Sequence, residues 1–264
     1  MSTLTLRGEP PERIDLLNVA PRTLGALTEA EAARLPVGTS RRGVSLGDVF
    51  AIRLDGSDTL VVEGGSERLD RVGAALDEGT IRVEGDVGQR LGAGMAGGTL
   101  TVSGSAGPFA ASGATGGIIT IRGAAGESAG GAVYGARAGL DGATLVIEGH
   151  AGDHLGDRMR RGLILAGSAG AHAASRMIAG TIVADALGDH PGYGMRRGTL
   201  IAGSHGAMLP TFVETGTPDL VFLRLLAAAL RRLGTRHADL LGGTLRRYSG
   251  DLATIGKGEL FVPA

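Results

Sequence analysis

The chain is predicted to be all-β, a right-handed parallel β-helix of about eight coils, each 18–20 residues long, with an irregular N-terminal segment and a C-terminal helix. Three observations predict it. Short runs of β-forming residues recur along most of the sequence, glycines stand at fixed offsets from each run, and the core-forming residues are aliphatic rather than aromatic. Of 264 residues 48 are Gly, whereas Phe and Tyr number 5 and 3 and Trp is missing. With 43 % apolar residues and a net charge of −1, the chain has too much hydrophobic material and too little self-repulsion for disorder. A core of Val, Ile, Leu, Ala and Met suits thin layers stacked closely.

Residues 1–58 do not follow the repeat and are expected to cap the stack. Within them Thr28-Glu-Ala-Glu31 has the form of a capping box ahead of a short helix ended by Pro36.

The coils are expected over 59–216. Their strand-like rows are Thr80-Ile-Arg-Val-Glu-Gly85, Thr99-Leu-Thr-Val-Ser-Gly104, Ile118-Ile-Thr-Ile-Arg-Gly123 and Thr144-Leu-Val-Ile-Glu-Gly149. Shorter copies follow at Leu163, Thr181 and Thr199, and a less regular one precedes them at Thr59. Three residues after each run comes a middle glycine: Gly88, Gly107, Gly126, Gly152, Gly170, Gly188 and Gly206. These are read as turn glycines, supplying backbone angles that β-branched residues avoid. Successive spacings are 19, 19, 26, 18, 18 and 18 residues. Ten residues beyond most middle glycines a third glycine closes the row: Gly98, Gly117, Gly162, Gly180, Gly198 and Gly216. Seven residues beyond each middle glycine stands a small or linear apolar residue: Met95, Ala114, Val133, Met159, Met177, Met195 and Val213. The long step places an insertion within Tyr134–Asp141. Parallel stacking at ~4.8 Å per coil gives a rod about 35–40 Å long.

The closing segment is 217–264. Thr217-Pro218 is a good cap and first-turn pair for a helix from Asp219 to Leu233. That helix is apolar on nearly every side and so must be covered, at the open end of the stack or by a partner. Gly242 to Asp251 returns to strand character.

The middle coils, Gly-(Thr)-Ile/Leu-x-Val-x-Gly-x-x-Gly-x-x-x-Gly/Ala-x-x-Met-x-x-Gly, resemble a glycine-motif domain known from two proteins. One is the C-terminal domain of the glutamate synthase large subunit, an interaction module. The other is the C-type subunit of formylmethanofuran dehydrogenase. Ser45-Leu-Gly-Asp-Val-Phe50, Arg247-Tyr-Ser-Gly-Asp251 and Gly256-Lys-Gly-Glu-Leu-Phe-Val262 are similar to the pattern of this second protein, over nearly the whole chain. The absence of Cys and the Arg- and Gly-rich composition resemble the methylotroph version of that family. The resemblance implies a structural subunit, without catalytic residues or a bound cofactor of its own, in a complex that takes a formyl group from a tetrahydromethanopterin carrier through a methanofuran-type carrier to formate. It implies a catalytic hydrolase, a formyltransferase and further subunits as partners, the hydrolytic metal belonging to another chain.

Two columns of side chains are candidates for chemistry. His154, His172 and His190 each lie two residues after a middle glycine and are expected to stack near 5 Å apart. Ligands to one metal ion must converge at about 2 Å, which parallel imidazoles do not, so a polar ladder is expected instead. Asp153 and Asp189 beside them are expected to act on the imidazoles. Arg160-Arg161 and Arg196-Arg197 share another column 36 residues apart, two coils or about 10 Å. Four guanidinium groups on one face suit a run of carboxylates, the polyglutamate tail that the resemblance implies for the carrier; the alternatives are a partner's acidic residues or plain exposure to water.

Other functions are excluded by what the chain lacks. A hexapeptide-repeat acyltransferase needs an aliphatic residue every six positions, and 182, 188 and 194 read Ile, Gly, Gly. Polysaccharide cleavage wants aromatic platforms beside paired carboxylates. Nucleic-acid binding is disfavoured by a net charge of −1 and no basic-aromatic stripe. Leu220 to Leu230 is broken by Arg224 and too short to span a bilayer, and the first residues have no signal-peptide form, so a cytoplasmic protein is expected.

Overall fold

The computed structural model describes all 264 residues, which form mostly β-structure with few helices. In chain order the elements begin with β1 (Ser2–Leu6), β2 (Ile14–Asp15), α1 (Pro21–Gly25), α2 (Glu29–Ala33), α3 (Leu46–Val49) and β3 (Phe50–Arg53). Then come β4 (Thr59–Glu63), β5 (Leu69–Asp70), β6 (Thr80–Glu84), β7 (Thr99–Val102), β8 (Ile118–Ile121) and β9 (Asp141–Ala151). They continue with β10 (Arg161–Ala169), β11 (Thr181–Leu187), β12 (Arg197–His205) and β13 (Val213–Glu214). The chain finishes with α4 (Val221–Arg232), a 3-10 turn (Arg236–Leu241), β14 (Leu245–Gly250) and β15 (Lys257–Pro263).

One sheet holds 13 strands in the order β13-β14-β15-β12-β11-β10-β9-β8-β7-β6-β4-β1-β3. From β4 to β12 every pairing is parallel and like meets like: Leu60 lies beside Ile81, Ile81 beside Leu100, Leu100 beside Ile119. A second parallel line of bridges runs from Ser66 through Val87, Ala106 and Ala125 to Ala151. Between the two lines the chain turns back on itself once per row, and alternate strand residues point into one continuous core. Leu60, Val62, Ile81, Val83, Leu100, Val102, Ile119 and Ile121 are all buried in it.

The N-terminal segment is less irregular than expected. β1 lies parallel to β4, with Thr3 opposite Val61, and β3 returns antiparallel to β1. The sheet is thereby extended by two strands that the glycine phase does not mark. The Thr28/Glu31 capping box forms as expected, Glu31 taking the Thr28 N–H at 2.9 Å. Ser45 and Asp48 cap α3 in the same manner, Asp48 accepting from the Ser45 amide and hydroxyl at 2.8 and 2.7 Å.

The middle glycines require correction. None of Gly88, Gly107, Gly126, Gly152, Gly170, Gly188 and Gly206 has a positive φ. Their reason is close approach. A Cβ on Gly107 would stand 2.8 Å from the Gly88 carbonyl carbon and 2.9 Å from the Gln89 nitrogen, so any side chain would strike the backbone of the row below. The row-closing glycines, by contrast, are left-handed, as Gly117 is at φ 82°.

Left-handed backbone also occurs at residues other than glycine, two residues to either side of a small residue. His154, Gly156 and Arg158 have φ of 61°, 66° and 54°, and His172, Ala174 and Arg176 repeat this with 59°, 59° and 54°. Each non-glycine in this region costs about 1–2 kcal/mol. The angles turn successive N–H groups alternately toward neighbouring rows: His154 donates to Ala171 at 2.9 Å, Gly156 to Ala129 at 2.8 Å and Arg158 to Ser175 at 2.8 Å.

Two members of the apolar column are also corrected. Met95, Ala114, Met159, Met177 and Met195 are fully buried, but Val133 is half-exposed and Val213 exposed. Leu140, four residues before Thr144, holds the buried place that Val133 was expected to fill, because the insertion falls between the two. Phe212 packs inside at the last row. The residue lost from the later strands is an outward one. Ala166 pairs with Ile147 and Ser168 with His150, so Gly167 alone spans what Glu148 and Gly149 span below.

The C-terminal helix starts at Val221 rather than Asp219, with Leu220 as an N-cap that makes no side-chain bond. It does not plug the stack. It lies on the outer face of the sheet, where Leu223 and Leu230 pack with Leu165, Val183, Ile201 and Phe261 in a second buried cluster. The open end is closed instead by β15, parallel to β12, and by β14 and β13 folded back antiparallel. No helix is long and apolar enough to cross a membrane.

Candidate functional site

The two arginine pairs meet in one groove of about 390 Å³, lined by Arg160, Arg161, Ile178, Ala179, Arg196, Arg197 and Ile255. The repeat brings them together. Arg161 and Arg197 each open a strand, two rows apart, and the intervening row puts Ile178 and Ala179 between the pairs. The pairs differ in their electrostatics. Asp141, at the end of the row-four insertion, takes Arg161 at 2.8 Å and Arg160 at 3.4 Å. The hydrogen bond from Arg161 holds the Asp141 carboxyl below the usual carboxylate range. Arg196 and Arg197 have no such partner, and the register sets Lys257 opposite Arg197. The groove is therefore half neutralised at one end and cationic at the other, over an apolar floor. Guanidinium groups so placed can donate hydrogen bonds to carboxylates.

The histidines stack as the spacing predicts. Ring centroids are 5.3 Å apart for His154 and His172 and 5.5 Å for His172 and His190, with planes within 11° and 24° of parallel. Tyr193 meets His172 edge-on at 6.0 Å. The expected role of the neighbouring acids is corrected. Asp153 and Asp189 turn away from the imidazoles and accept backbone N–H groups one row on, from Ala171 at 2.8 Å and Ala207 at 2.7 Å. They are stitches between rows. No group of three or more His, Asp or Glu converges as metal ligands would.

No protein-family model matches the chain. The C-type subunit of the formyltransferase/hydrolase complex Fhc of Methylorubrum extorquens is 78 % identical over 265 residues, with 100 % of each chain covered. The chain belongs to the family of C-type subunits of the formyltransferase/hydrolase complex. A chain in the X-ray crystal structure of that organism's formyltransferase/hydrolase complex (FhcABCD), determined with methylofuran, has the same 78 % identity and a TM-score of 0.98 over 99 % of both chains. Of the two complexes that the family resemblance left open, these relatives are of the formyltransferase/hydrolase kind.

For this member of the family, sequence reasoning found the arginine and histidine columns but missed residues that shape them. Asp141 is reached only through the insertion, which periodicity treats as an interruption. Asp157 is buried and accepts two bonds from Arg176 at 2.9 and 2.8 Å; the repeat carries no acid column that would have marked it. His237, within the 3-10 turn, is buried and donates from Nε2 to the Ala166 carbonyl at 2.8 Å, and no repeat points to it.

Proposed function

We propose that the chain is the structural subunit of a formyltransferase/hydrolase complex in one-carbon metabolism, a cytoplasmic scaffold for partner chains that carry the formyltransferase and hydrolase chemistry. The observation that carries this reading is full-length likeness, 78 % identity with a TM-score of 0.98, to a chain of such a complex. In its finer form the fold is a right-handed parallel β-helix over 59–216, closed by 1–58 and 217–264. The in-register rows and the two parallel ladders support it. The complex would pass a formyl group from a tetrahydromethanopterin carrier to a methanofuran-type carrier and release formate.

Within that complex, Arg160, Arg161, Arg196 and Arg197 bind the anionic tail of the furan carrier. The unpaired Arg196 and Arg197 give the tail its strongest hold, and Asp141 weakens the other end. Guanidinium forks match carboxylates in a chain, and an apolar floor accommodates the methylene stems between them. The contribution is positional, so it acts on KM and leaves kcat alone. The test is to assemble the complex with wild-type chain and with all four Arg→Ala, using carriers with long and short glutamate tails. The variant is expected to raise KM several-fold for the long tail only, and salt to act in the same direction because exposed charges are screened over about 8–10 Å. A variant that assembles normally and keeps the wild-type preference for the long tail refutes tail binding. A variant that no longer assembles gives the arginines to a partner's acidic surface instead.

A further inference from the structure

The chain has eleven exposed large apolar residues, and four of them, Val221, Phe222, Leu225 and Leu233, fall on or at the end of α4. The inner face of this helix is already satisfied, since Leu223, Ala227 and Leu230 are buried on the sheet. At 100° per residue, Val221, Leu225 and Ala229 stand on the opposite side, with Phe222 beside them. Val221 is 61 % and Leu225 66 % exposed. A helix resting on a sheet has no structural need for a second apolar stripe facing water, and clustered apolar exposure of this kind marks a contact surface.

The charges around the stripe specify the partner. Arg224, Arg231 and Arg232 are the charged residues of α4, which contains no acid. Arg224 meets Asp219 at 3.5 Å and the following Arg236 is held by Asp185 at 2.6 Å, so Arg231 and Arg232 are the cations left for a partner. Past the helix C-terminus the surface continues into a groove of about 510 Å³ between α4 and the sheet, lined among others by Ile118, Val146, Glu148, Arg232, Leu233 and Arg236. Ile118 is another of the eleven exposed apolar residues, so the patch and the groove form one surface. We infer that this surface docks another subunit of the same complex, through a segment of apolar side chains flanked by Asp and Glu. The inference rests on the assembly reading above and adds which face of the chain meets the partner.

The test co-expresses the other subunits with wild-type chain, with Val221→Asp/Leu225→Asp, and with Arg231→Glu/Arg232→Glu. Because these side chains are exposed, each variant alone should melt with the wild type. In the complex, the Asp pair is expected to lower affinity by about a hundredfold, as loss of a central apolar anchor does. The Glu pair should lower it less, and should also flatten its dependence on salt. Amide hydrogens of residues 221–233 should exchange more slowly in the complex than in the free chain. If wild type and the Asp pair assemble equally well, the docking face is wrong while the assembly reading stands. A wild-type chain that fails to assemble overturns both. Sedimentation of the free chain as a dimer that the Asp pair dissolves overturns the inference in favour of a second copy, and pelleting of the free chain with anionic lipid vesicles overturns it in favour of a membrane.

Discussion

The lower rows β6 to β8 and the upper rows β10 to β12 use the same inward positions and opposite outward ones. Inward, Ile81, Leu100 and Ile119 below correspond to Ile164, Ile182 and Leu200 above, all buried. Outward, the lower rows present Arg82, Thr101 and Thr120 to solvent, whereas the upper rows present Leu165, Val183 and Ile201, which are fully buried beneath α4. The alternating strand and the fully apolar strand are thus one structure in two environments, and the outward residue reports what lies on top of it. Each fully buried aliphatic side chain contributes about 1.5–3 kcal/mol, so the covered half is the more firmly held.

The comparison is broken most directly by charging the outward position. Val183→Asp buries an unpaired carboxylate under α4 and is expected to cost about 4 kcal/mol or more, while Thr101→Asp in the open half should cost under about 1 kcal/mol. Denaturant unfolding of both variants checks this, and equal costs would mean that α4 does not seal the upper rows in solution. Next in size are the middle glycines, where the two halves should agree. Gly107→Val and Gly170→Val each drive a side chain into the row below and are expected to cost about 3 kcal/mol. If either retains the wild-type melting temperature, the rows are not packed backbone on backbone. The smallest effect concerns Asp141, at the boundary between the halves. Its carboxyl is held below its unfolded value by Arg161, so the stabilisation is present above the ordinary carboxylate range and is lost as pH falls through the depressed folded value. Asp141→Asn should cost under about 1 kcal/mol at pH 7, because both arginines are more than half exposed, and the difference in melting temperature should vanish in strong acid.

Periodicity made the rows and both polar columns legible, because stacking in register turns sequence spacing into neighbourhood. It misled where it was counted from the wrong landmark. Val133 was located by its distance from the preceding glycine, but burial follows the distance to the next strand, and Leu140 satisfies that. Glycine itself carried two meanings. Gly107 is required by the proximity of another backbone alone, Gly117 by its own φ as well, and composition does not separate these. The left-handed His154, His172 and Arg158 were hidden because residues that ordinarily avoid such angles occupy them. β1 was missed since its partner β4 is more than fifty residues away and no turn glycine precedes it. The arginine groove was visible as a column; its asymmetry was not, because Asp141 enters from an insertion.

The antiparallel strands at both ends of the sheet set a limit on growth. A pile of in-register parallel rows is an open template, since each rim has the form of the next row's partner, and such rims invite fibre formation. Here β3 reverses direction at one rim, and β14 and the two-residue β13 reverse it at the other. Neither outer edge repeats the parallel register of the interior, so one molecule's top does not continue into another's bottom. The protein is a ruler of fixed length, its ends set by the antiparallel edge strands β3 and β13.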